Sequence, residues 1–191
     1  MVRRMLRTLL KYLLCCMLFC SCTTPAQSTP RVVLRTEVIN LGGHLEMLRD
    51  PGGLQNLDEV THSDQWQAST GNFNPGFTSH ALWLRVRFEQ PLSTTQDWQL
   101  EVNNSNIDDI RLYHLATDSS LTTLRAGRSI PYNEWPVAAR APTFPLLLTP
   151  GIHVVYLRIQ SEHPISAGVL HQFHCDISRA TEQSSASIFP A

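Results

Sequence analysis

Between Ala81 and Phe88 apolar and polar positions alternate without a break. Leu82, Leu84, Val86 and Phe88 fall on one side of an extended chain, and Trp83, Arg85 and Arg87 on the other. Successive side chains of a strand point to opposite faces, so this stretch predicts a strand with one dry side. The pattern recurs. Trp98, Leu100 and Val102 alternate with Gln99, Glu101 and Asn103, and Ile110, Leu112 and His114 alternate with Asp109, Arg111 and Tyr113. Phe144, Leu146 and Leu148 mark a further strand. Val155, Leu157 and Ile159 then oppose Val154, Tyr156 and Arg158.

Turn residues separate these segments. Asp50-Pro51-Gly52-Gly53, Pro91 to Gln96, Asn103 to Asn106, Ala116 to Ser120 and Thr149-Pro150-Gly151 are all rich in residues that reverse the chain. Leu121 to Arg125 reads as a weaker strand closed by Gly127, and Val169 to Cys175 as a last one. Pro131, Pro136, Pro142 and Pro145 limit residues 131–145 to loop or sheet edge. Asn56-Leu57-Asp58-Glu59-Val60 opens one helical turn, because Asn and Asp cap well. Thr61 to Thr78 reads as an ordered polar loop. Strands at this spacing, with almost no helical period, predict an all-β antiparallel sandwich, here taken as a jelly roll.

The polar sides of these strands suggest chemistry. An ordinary solvent face carries Thr, Lys, Glu or Ser. Here it carries an indole and arginines, groups suited to planar polar or anionic ligands. Trp83, Arg85, Asp109, Arg111, Tyr156 and Arg158 share one face if their strands are neighbours, and Arg140 sits in a loop from which it can reach over that face. This set is the candidate ligand site, expected on an open sheet face where Arg85→Ala and Arg158→Ala leave folding nearly unchanged. The bland alternative is a set of structural ion pairs, Arg85 with Asp109 among them.

Composition narrows the class. The 191 residues, 42% hydrophobic and 16% charged, suit one globular domain. Net charge is -1, but Arg3, Arg4, Arg7 and Lys11 precede an apolar run from Tyr12 to Cys20, with no acid before Ala26. The remainder is net acidic, which argues against a nucleic-acid partner. Residues 1–26 have the layout of a secretory signal peptide, with Thr24-Pro25-Ala26 as its cleavage site and lipidation at Cys22 as the alternative. Cleavage after Ala26 leaves Cys175 as the lone cysteine. The expected organisation is a signal peptide (1–26), a linker (27–37), a periplasmic domain (38–176) and a disordered tail (177–191).

Four pieces together resemble a known family. They are Gly76 leading to Leu82-Trp83-Leu84-Arg85; Ile107-Asp108-Asp109-Ile110-Arg111-Leu112-Tyr113; Arg140-Ala141-Pro142-Thr143-Phe144-Pro145-Leu146; and Val155-Tyr156-Leu157-Arg158-Ile159-Gln160-Ser161. Their order and spacing are similar to the type 2 extracellular domain of bacterial seven-transmembrane receptors with diverse intracellular signalling modules. The resemblance covers roughly residues 38–176. It implies a periplasmic sensory jelly roll, like a carbohydrate-binding module, followed by seven membrane helices and an output module. After the signal segment no apolar run here approaches 18 residues, so the expectation is a truncated or stand-alone form.

Other constellations are weaker. His171-Gln172-Phe173-His174-Cys175 places three metal ligands close together, but strand phase sends His171 and Cys175 to one face and His174 to the other. No nucleophile elbow and no phosphate-cradling glycine loop occurs. The expectation is a binding domain that is not an enzyme and carries no cofactor or metal. Its partner is a small molecule, a carbohydrate or an anion, with a membrane receptor or signalling protein as a further partner. An interaction module without a small ligand is the competing reading.

Overall fold

A computed structural model describes residues 31–34, 38–41, 43–69, 81–91, 93, 95–162 and 173–176. The signal segment, His171 and the tail after Asp176 lie outside the described residues. Among the described residues eleven strands carry the fold: β1 Val32–Val33, β2 Val38–Asn40, β3 Glu46–Asp50, β4 Gln67–Ala68, β5 Ala81–Gln90, β6 Gln96–Val102, β7 Asp109–Leu115, β8 Leu121–Ala126, β9 Thr143–Leu148, β10 Gly151–Gln160 and β11 Phe173–Asp176. Between β3 and β4 lies one short helix, α1, Leu57–Thr61, and between β8 and β9 one 3-10 turn, Tyr132–Glu134.

The strands form two sheets. The larger runs β4-β3-β5-β10-β7-β8, and the smaller runs β2-β11-β6-β9. Pairing is antiparallel except for β1, which lies parallel to the end of β5 with Val32 opposite Phe88. One core joins the two sheets. Leu82, Leu84, Val86 and Phe88 of β5 pack in the same cluster as Trp98, Leu100 and Val102 of β6 and Phe144, Leu146 and Leu148 of β9. Ile110 and Leu112 of β7 and Val155, Leu157 and Ile159 of β10 complete it. These are the residues that the alternation assigns to the dry side, and each fully buried one stabilises the fold by roughly 1.5–3 kcal/mol. The chain is thus an all-β antiparallel sandwich.

Turn chemistry fits the connections. Gly127 leaves β8 at φ 128, and a Cβ there would sit 2.5 Å from the carbonyl oxygen of Asp108. Only glycine tolerates both the conformation and that approach. Helix α1 starts with a full capping box. The Asn56 side chain accepts from the Glu59 amide at 3.1 Å, and the Glu59 carboxylate accepts from the Asn56 amide at 2.7 Å.

One expectation needs correction. The polar side of β5 is not open. Every residue from Ala81 to Val86 is buried, as is every residue from Val155 to Ile159 of β10. Both faces of these central strands are covered. The cover on the outer side comes from the stretch after β3 that holds α1 and Trp66, where Val60 of α1 is fully buried in a second cluster with Leu48, Trp83 and Tyr156.

Candidate functional site

The sheet register brings most of the candidate residues into adjoining rows on the outer face of the larger sheet. Arg85 stands opposite Glu46 on one side and Tyr156 on the other. Trp83 stands opposite Leu48 and Arg158, and Arg158 opposite Arg111. Asp109 stands opposite Gln160. Trp83, Arg85, Asp109, Arg111, Tyr156 and Arg158 therefore share a face. Arg140 does not join them: it is exposed in the loop leading to β9, a strand of the other sheet.

On β5 and β10 this face is sealed, and its charges are matched. Trp83 is 0% exposed and stacks on Tyr113, ring centroids 5.7 Å apart. Trp66, from the covering segment, lies 5.9 Å from the Tyr156 ring and carries the Arg85 guanidinium 4.3 Å above its own. Its indole N–H donates to the Val60 carbonyl at 2.9 Å, which fixes it to α1. The polar pattern of Thr61 to Thr78 places Trp66 in a loop; its large ring in that stretch is the signal of a packed role. Arg85, only 8% exposed, donates to Glu46 at 2.8 Å, and Arg87 donates to the same carboxylate oxygen at 2.6 Å. The expected Arg85–Asp109 pair is not formed. Asp109 instead accepts from Arg111 at 3.0 Å and from Arg125, with Arg158 at 4.0 Å. Arg158, also 8% exposed, donates to the Gly53 carbonyl at 2.9 Å and to Gln160 at 3.0 Å. Gly53 sits at φ 63, so the turn predicted at Asp50–Gly53 serves as an anchor for a central-strand arginine. Burial makes these arginines braces between the sheet and its cover. Their removal is then no longer neutral to folding, contrary to the expectation for an open face.

An open cleft lies elsewhere, where edge strand β8 of one sheet and edge strand β9 of the other flank the end of the core. It holds about 780 Å³. β6 contributes Asp97, Trp98 and Gln99; the end of β7, the turn after it and β8 contribute His114, Asp118 and Thr122. Pro145 to Leu147 and the Thr149–Pro150 turn close its other side. The lining among the described residues includes two carboxylates and no lysine or arginine.

His114 at this cleft is 6% exposed and pairs with His153, which is 0% exposed. A backbone carbonyl can only accept, so the 2.7 Å contact from His153 Nε2 to the Thr149 carbonyl places a proton on Nε2. The two rings meet at 3.0 Å between His114 Nε2 and His153 Nδ1. Burial, and then the neighbouring His153, push the His114 pKa down to about 4, against a smaller upward pull from Asp118. The cleft therefore meets neutral water with an uncharged imidazole. Hydrogen bonds from Ser120 hold the exposed Asp118 carboxyl below its ordinary value. Trp98 is 3% exposed, and its indole N–H, like that of Trp83, has no acceptor among the described residues.

Sequence reasoning missed the cleft, although one signal was present. His114 and His153 both occupy the core phase of neighbouring strands, where an aliphatic residue would be ordinary. No group of three or more metal-ligating side chains occurs among the described residues. No helix among them is long and apolar enough to cross a membrane.

The two-sheet antiparallel architecture and its single shared core define an all-β sandwich domain. A family profile described as 7TMR-DISM extracellular 2 matches residues 42–170, and the chain belongs to that family. Membership makes it an extracellular, periplasmic-type sensory domain of receptors. No curated protein matches the chain. A solved structure of a Shewanella oneidensis protein is similar at 13% identity over 71% of this chain and 96% of that one, with a TM-score of 0.19.

Proposed function

We propose that the chain is a ligand-binding input domain of a periplasmic sensory receptor, and that the ligand occupies the cleft between β8 and β9. The carrying observation is the contrast in access. The cleft is open, lined by polar and apolar side chains together, and about 780 Å³, within the range of small-molecule sites. The arginine face is filled by the protein's own Trp66, α1 and Gly53. Binding rather than catalysis suits the cleft, because His114 hydrogen-bonds a second imidazole and not a hydroxyl nucleophile. Among the described residues the large exposed apolar side chains Val33, Leu54, Leu121, Tyr132, Leu147 and Ile152 come from separate elements. That scatter favours the ligand reading over a flat apolar docking face. Export by residues 1–26, with lipidation at Cys22 as a variant, belongs to the same proposal.

A thermal-shift screen of small metabolites on wild type and on Thr122→Trp tests it. The larger ring fills the cleft, so a hit should lose its shift in the variant and keep it in Arg140→Ala. Hits that survive Thr122→Trp would remove the cleft from the site.

A further inference from the structure

The two edges that bound the larger sheet are not alike. β4 is two residues long, whereas β8 runs for six. The outer strands of the smaller sheet are β2, with three residues, and β9, which carries Pro145. Short length and proline both protect a sheet edge from pairing with another chain. β8 has neither, carries no lysine, and pairs with β7 without a bulge. Its Leu121, Thr122, Thr123 and Arg125 are exposed.

Ladder phase decides which groups this edge offers. In the hairpin between β7 and β8 the Ala116 amide donates to the Ser120 carbonyl at 3.0 Å. Bonded and non-bonded pairs alternate along an antiparallel ladder. Thr122, Leu124 and Ala126 therefore direct their backbone groups to β7, and Leu121, Thr123 and Arg125 turn theirs outward. Among the described residues no strand takes them up.

The edge is also complementary to itself. Asp118 precedes β8, Arg128 follows it, and the two are equidistant from Thr123 along the chain. Asp118 is exposed; the Arg128 side chain is half exposed and comes no nearer than 3.9 Å to Asp108. A second β8 laid antiparallel about Thr123 sets threonine on threonine and Leu121 on the stem of Arg125. It also brings the Asp118 turn of each copy beside Arg128 of the other. Threonine pairs and opposite charges are favourable cross-strand neighbours, and arginine stems cover apolar side chains. An unrelated peptide would meet the two ends without that match.

We propose that β8 is a dimerisation edge: two copies of this chain pair antiparallel through Leu121 to Arg125 about a two-fold axis at Thr123, and their larger sheets run on as one. Such an interface is isologous and closes at two copies. The pairing does not depend on the cleft holding a ligand.

Sedimentation of the exported protein over a concentration series should show a monomer–dimer equilibrium that weakens as salt rises. Thr123→Pro removes an outward N–H and none that bonds β7, so it should keep a near wild-type melt and abolish the dimer. Asp118→Arg and Arg128→Asp should each raise the dimer dissociation constant about tenfold, and the double charge swap should restore it. A protein monomeric at every concentration would overturn the proposal and leave the edge to another chain. So would a dimer that survives a folded Thr123→Pro, or a double swap no tighter than either single variant. If Thr123→Pro does not fold, the charge series decides alone.

Discussion

The outer face of the larger sheet and the cleft beside it use polar residues in opposite ways. On the face, Arg85, Arg87 and Glu46 come together in a place that water hardly reaches, and Arg158 ties the sheet to the Gly53 turn. Each charge there has a protein partner, and an indole covers Arg85. At the cleft, Asp97 and Asp118 stay exposed beside an uncharged imidazole. A cluster of charged and aromatic side chains is thus a site only if its partners are missing. Here the rich cluster is internally complete, and the plainer one is open.

The largest expected effect fixes the baseline for both regions. Leu84→Asp and Leu157→Asp each bury an unpaired carboxylate in the shared core. Such a group costs several kcal/mol, comparable to the whole stability of a domain, so neither variant should give a cooperative melt. A near wild-type melt of either would mean the strand phase is off by one.

Glu46→Ala tests whether the arginine face is a brace. It strips the acceptor from Arg85 while the guanidinium stays buried, which should cost about 3–5 kcal/mol in chemical denaturation. A loss below 1 kcal/mol would mean that water reaches this face and would reopen it as a ligand surface.

Acid probes the other region. His114 titrates at about 4 in the fold against 6.5 when unperturbed. Between those values the unfolded chain takes up a proton that the folded chain refuses, so stability is present above 6.5 and falls as pH drops towards 4. The gap corresponds to about 3 kcal/mol, lost through this window and no further below it. The charged and titratable neighbours are His153 on β10 and Asp118 in the turn after β7. Denaturation curves at pH 7 and pH 4 should show the loss, and His114→Gln should remove that part of it. At the small end, Arg140→Ala should change stability by less than about 0.5 kcal/mol, because the side chain is exposed in a loop. A larger change would reveal a role for Arg140 that its position does not show.

Strand phase was legible because one face of β5, β6, β7, β9 and β10 is buried along its length. Leu82, Leu84, Leu112, Leu157 and their neighbours follow the alternation without exception, and the capped turn at Asn56 and the reversal at Asp50–Gly53 were as readable. Co-location of Trp83, Arg85 and Arg158 followed from phase plus adjacency. Their burial did not, because it depends on a long polar connection folding back to lay Val60 and Trp66 on the sheet. Nothing local in Thr61 to Thr78 specifies that. The cleft was harder still. It joins residues 97–99, 114–124 and 145–150, each an ordinary strand end or turn, and only the offset of two sheet edges makes them a site. Polar His114 and His153 in core phase were its one trace.

Chemical-shift mapping tests the central claim, that the cleft and not the arginine face receives the ligand. Isotope-labelled protein titrated with a hit from the thermal-shift screen should show its largest amide shifts at residues 97–99 and 114–122, with Glu46, Arg85 and Arg158 undisturbed. Shifts concentrated at Glu46, Arg85 and Arg158, with residues 114–122 silent, would contradict it.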